Sequence, residues 1–140
     1  METRKLLETW SATHSRPDSP ALEDAANILQ RMPFEIEPQA YLDLDAKFHR
    51  ALVKAADNVV VDALMSSLHD SIRGYTTLCA SMTDDWEDVR IRLQKEHELI
   101  LDAFLRGQHG SAANLVAEHI DNYYNHARIS ERGNELRSPY

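Results

Sequence analysis

A single cysteine, Cys79, stands in 140 residues, so the chain can form no internal disulfide. That usage fits a reducing compartment, and the ordinary place for such a cysteine is a small gap in a core. Glycine and proline are scarce, at four and five, and they fall mostly between periodic segments. Long helices and few turns follow. No apolar run approaches the ~18–20 residues of a membrane span, and residues 1–20 lack a secretory-signal pattern. A cytoplasmic chain without a membrane partner is expected. Positive charge is also short: 15 bases face 23 acids, a net charge of −8. The bases gather nowhere beyond Arg4-Lys5, so these residues by themselves repel a phosphate backbone. A Gly-rich phosphate loop, paired cysteines, His-Glu-x-x-His and the Glu-x-x-His of di-iron bundles are all missing.

What the chain does have is helical periodicity. Six segments can be traced. The first spans about 1–14, with Leu6, Leu7 and Trp10 expected on its inner side. Ser19 and Pro20 open a second, to about Arg31, carrying Leu22, Ala25 and Leu29 at helical spacing. "PFEIEP" is a linker, and Pro38 opens a third helix to about Ala56. The fourth holds Val61, Leu64, Leu68, Ile72 and Tyr75 in register. The fifth starts at Thr83-Asp84-Asp85, where Asp84 and Glu87 have capping-box spacing. The sixth, capped by Ser111, is expected to end near Ser130. With only "NVVV" (58–61) as a β-branched run, the expected fold is all-α: an antiparallel bundle of about six helices.

Polar residues interrupt three of the apolar faces. Asp45 and His49 lie four apart, beside Phe48 and Leu52. His97 sits on the stripe of Leu93, Ile100 and Phe104. His119 shares a face with Ala112, Val116, Ile120 and Tyr123, and His126 continues that face as a substitute. A lone histidine in such a place is ordinarily one hydrogen-bonded to a neighbour. Three such faces turned inward bring three imidazoles and a carboxylate together, a competent set for zinc, nickel or manganese. The expectation is a divalent transition metal, zinc first, on Asp45, His49, His97 and His119. The remaining histidines fall in loops (His14, His109) or on a polar side (His69).

The order of these residues resembles a known family. "DAKFHRALVKAADN" (45–58) followed by "EHELILDAFLRGQHGSAANLVAEH" (96–119) is similar to the FCD domain, the all-helical effector-binding half of FadR-type GntR transcription regulators. "TRKLLETWSA" resembles the opening helix of that domain, so the likeness covers essentially the whole chain. It implies a domain over 1–133, with 134–140 as a frayed tail. In the metal-binding branch of the family the metal ligands fall on Asp45, His49, His97 and His119, the same four that the inner faces single out. The resemblance further implies a homodimer and a small organic acid as effector: a hydroxy acid, sugar acid or dicarboxylate. Arg73 would anchor the acid, with Tyr75 and Asn122 lining its pocket. The family's winged helix-turn-helix has no counterpart in these residues, so operator DNA is expected to be bound only through such a domain of a parent protein.

Two other readings belong to different classes. A metal-dependent enzyme acting on small acids or esters would need a general base near the metal. Glu96 and Glu118 adjoin the ligands in sequence but are expected to point about 100° away. The other is a purely structural metal bundle for protein–protein interaction.

Overall fold

The computed structural model describes the backbone of residues 2–137 and side chains over 2–126. Among the described residues there are six α-helices, one 3-10 turn (Met32–Phe34) and no strand. The helices are α1 (Glu2–His14), α2 (Pro20–Arg31), α3 (Pro38–Lys54), α4 (Val59–Ser81), α5 (Trp86–Leu105) and α6 (His109–Arg137). Helix α1 packs chiefly on α6, α2 on α3, α3 on α4 and α5 on α6; α1 also reaches α3 and α4. The main core joins Leu22, Tyr41, Phe48, Ile100, Phe104 and Ile120, from α2, α3, α5 and α6.

Local chemistry accounts for most boundaries. Ser19 accepts from the Ala21 N–H, and Asn58 accepts from the Val61 N–H, so both cap the following helix. Helix α5 closes on Gly107, which has φ 67°. Its N–H donates to Phe104 O, and that of Gln108 donates to Ala103 O, satisfying carbonyls the helix leaves open.

Three expectations need correction. Helix α5 begins at Trp86 after Asp85, which makes no side-chain capping bond, so the Asp84–Glu87 box does not form. Helix α6 starts at His109, ahead of Ser111, and continues through Gly133 to Arg137; 138–140 lie outside the described residues. The third concerns α1. Its inner face is Arg4, Glu8, Ser11 and Ala12, while Leu6 is 69% exposed and Trp10 is half-buried. A polar face can turn inward because the interior answers it with ionic and hydrogen-bonding partners.

Candidate metal centre

Helix α3 carries Asp45 and His49 one turn apart, α5 carries His97, and α6 carries His119. All four are buried. One donor atom from each lies within 4.8 Å of every other. His49 Nε2 is 3.2 Å from His119 Nε2 and 3.3 Å from Asp45 Oδ1. His97 Nε2 is 2.8 Å from Asp45 Oδ1, yet it makes no hydrogen bond there or elsewhere. A buried nitrogen without a hydrogen bond, this close to a carboxylate oxygen, is the kind of atom that an ion would satisfy.

The opposite edge of each ring has its own partner. His49 Nδ1 bonds Glu8 Oε1. His119 Nδ1 is 2.8 Å from Glu96 Oε1. His97 Nδ1 is 3.3 Å from the Tyr41 hydroxyl. That hydroxyl donates to Gln94 Oε1, whose amide donates in turn to Leu29 O. Tyr41 is therefore left to accept from His97. With an oxygen partner at Nδ1, each imidazole is placed to keep a proton there and to leave Nε2 toward the centre, the arrangement that orients metal-binding histidines. Asp45, His49, His97 and His119 could hold a metal ion.

Charge around the centre is uneven. Burial alone would lower the pKa of His49, but Glu8 and then Asp45 outweigh it and raise it to about 9. Burial pushes His97 down. Burial, then the neighbouring His97 and His49, push His119 well down. Burial would raise Asp45, yet His49 and His97 hold it well below the usual carboxylate range. Glu8 is held at about 2 against the effect of burial, by Arg4 and then His49.

Arg4 completes the group. It is buried, bonded to Glu8 at 2.5 Å and donating to the Tyr124 hydroxyl at 3.0 Å. Two small cavities of about 10 Å³ each flank it, each with room for about one water. Asp45, Thr76, His119 and Tyr123 line the first; His49, Met65 and His69 line the second.

The expected acid-binding residues are elsewhere. Arg73 pairs with Asp43 on the flank of α3 and α4. Tyr75 is 43% exposed against Tyr124, and Asn122 is exposed. Their sequence neighbours Thr76 and Tyr123 meet the cavity instead, one helical step round. His126 pairs with Asp85 at 3.2 Å, apart from the cluster. Glu96 reaches His119 across the α5–α6 interface, whereas Glu118 is exposed. Sequence reasoning missed Arg4 and Glu8: they share a face with Ser11 and Ala12, but a charged i,i+4 pair reads locally as a solvated face.

The family model for the FCD domain matches residues 1–122. No curated protein matches the chain.

Proposed function

The chain belongs to the FCD domain family, the effector-sensing domains of GntR-type regulators, and from that premise we propose that it is a metal-dependent sensor of a small organic acid. Asp45, His49, His97 and His119 are the ligands of one divalent ion, zinc in the first instance. When bound, the ion supplies a positive centre with positions open to an oxygen donor. The observation that carries this reading is the orientation of the rings. Three buried histidines turn Nε2 to one point beside Asp45, and each is held there through Nδ1.

Arg4 takes the part expected of Arg73. A buried guanidinium beside the cluster suits a carboxylate, since an anion in a bundle interior needs more than one partner. Hydroxy acids, sugar acids and dicarboxylates fit, having a carboxylate and a second oxygen group. The cavities, about 10 Å³ each, have room for a water and not for an acid. Binding would therefore select a helix arrangement with more room, and that selection is a signal a joined winged-helix domain could transmit to operator DNA. The family is non-enzymatic in general. Glu8 and Glu96, the carboxylates beside the ligands, are both engaged on ligand Nδ1 atoms. Neither is free to act as a general base, which favours a sensor over an enzyme.

Calorimetry tests the reading in two steps. Zinc should bind at one equivalent and lose that site in His97→Ala. Lactate, malate and citrate should then bind the zinc-loaded domain, fail on the apo form and on Arg4→Met, and outcompete neutral alcohols of equal size, which should not bind. Acid binding that is equal with and without zinc would remove the ion from the sensing role.

A further inference from the structure

The three imidazoles are not held alike at Nδ1. Glu8 faces His49, and Glu96 faces His119. An ionised carboxylate only accepts, so each of those rings has to donate from Nδ1. His97 faces the Tyr41 hydroxyl at 3.3 Å, and a hydroxyl can donate or accept. At its other edge His97 Nε2 lies 2.8 Å from Asp45 Oδ1 without a hydrogen bond to it. A neutral His97 therefore has two places for one proton, and its immediate neighbours do not choose between them.

The choice comes from groups further out. Residue 33 is proline, so the Leu29 carbonyl, four residues earlier near the end of α2, has no N–H to accept in the helical pattern. The Gln94 side chain of α5 supplies the donor: its Nε2 bonds Leu29 O at 3.3 Å. A carbonyl only accepts, so the nitrogen end of the amide must face it, and Oε1 is left to face Tyr41. The Tyr41 hydroxyl donates to that Oε1 at 3.1 Å. A hydroxyl has one hydrogen, so toward His97 it offers lone pairs alone. Tyr41 is fully buried, so bulk water does not reach it to replace the amide. Each link has one allowed direction, from the carbonyl that Pro33 leaves open to the ring of His97.

We propose that Gln94, acting through Tyr41, is a positioning residue that fixes the tautomer of His97, with the proton on Nδ1 and the Nε2 lone pair toward the centre. Without Gln94 the arrangement reverses. Tyr41 then donates to Nδ1, and the ring proton moves to Nε2, where Asp45 accepts it. That tautomer has no lone pair at Nε2 to give an ion. The same bonds join α2, which contributes no ligand, to the centre. The consequence for metal affinity rests on the metal reading proposed above; the tautomer itself does not.

Nitrogen NMR of the isotope-labelled, metal-free chain decides it, because a ring nitrogen with a proton and one without differ in chemical shift. The wild type should show His97 protonated on Nδ1. Gln94→Leu and Tyr41→Phe should each move that proton to Nε2 and weaken zinc binding in calorimetry by roughly tenfold to a hundredfold. Gln94→Glu keeps an acceptor for the Tyr41 hydroxyl, so it should keep the wild-type tautomer and bind zinc more tightly than Gln94→Leu. A wild type protonated on Nε2 overturns the proposal. So does a Gln94→Leu chain that loses zinc affinity while His97 keeps its proton on Nδ1, since packing alone would then account for the loss. Gln94→Glu behaving like Gln94→Leu overturns it as well. If the wild type binds no zinc and the tautomer still follows residue 94, the metal reading fails and the positioning role stands.

Discussion

His49 sits between two carboxylates, and that position sets how the centre should respond to pH. With no metal its pKa is about 9, because Glu8 and Asp45 outweigh the effect of burial. A metal ligand must be neutral at the binding nitrogen, so a proton has to leave His49 at neutral pH. Zinc affinity should therefore rise about tenfold per pH unit from roughly 7 to 9 and level off above. The free imidazole range near 6.5 would place that rise too low. Calorimetry in buffers of different ionisation enthalpy should record about one proton released per zinc at pH 7.5; no release would contradict the assignment. The same groups contribute to the stability of the metal-free fold. Glu8 is depressed to about 2 from 4.5, so its contribution is present above 4.5 and lost as pH falls through 2. His49 is raised from 6.5 to about 9, so its contribution is full below 6.5 and lost as pH rises through 9. Both operate fully only between 4.5 and 6.5, and the apo melting temperature should carry that signature. Glu8→Ala leaves Arg4 and His49 buried without their acid and should cost about 3–5 kcal/mol in urea unfolding.

At the level of elements, the helix ends make separable predictions. Gly107 has φ 67°, and a Cβ there would sit 3.0 Å from Pro17 Cγ. Gly107→Ala combines left-handed strain with that contact and should destabilise by about 1–2 kcal/mol or more. Asn58→Ala removes the cap bond to Val61 N and should cost about 1 kcal/mol. Asp84→Ala should instead stay within ~0.5 kcal/mol, since α5 starts one residue later without a side-chain cap. Urea denaturation of the three variants checks the contrast; an Asp84→Ala loss equal to that of Asn58→Ala would restore the capping box that the spacing implies.

For the molecule as a whole, the centre joins α3, α5 and α6, and Glu8 and Arg4 extend it to α1. A ligand that binds only the folded state stabilises it by mass action, about 2.7 kcal/mol at a hundred times its Kd. For a chain of this size that corresponds to roughly 10 °C in melting temperature. Chelation of the zinc-loaded domain should lower the melting point by about that amount, and His97→Ala should show no chelator response. A wild type that surrenders its zinc without a shift would mean that the ion does not brace the helices.

The helices and the four converging residues were legible in the chain because their signals are local. Apolar spacing at 3.6 residues, Pro20 and Pro38 at helix starts, and Gly107 at a helix end act within a turn or two. Asp45, His49, His97 and His119 stood out as polar groups on otherwise apolar stripes, which needs only the periodicity of each helix. The family order of those residues then agreed with the faces. What the sequence could not determine depends on which helices become neighbours. Arg4 and Glu8 look like surface residues of an amphipathic segment whose apolar side is Leu6, Leu7 and Trp10. Packing against α3 and α6 reverses that segment, because His49 and Tyr124 offer the buried charges partners that no local pattern encodes. A helical step of 100° likewise separates Tyr75 from Thr76 and Asn122 from Tyr123, and only the rotation imposed by packing selects the residue that meets the cavity. Glu96 points aside on its own helix and reaches His119 because α6 lies against α5. Periodicity settled which face of most helices is apolar; tertiary contact alone decided where charge could be buried.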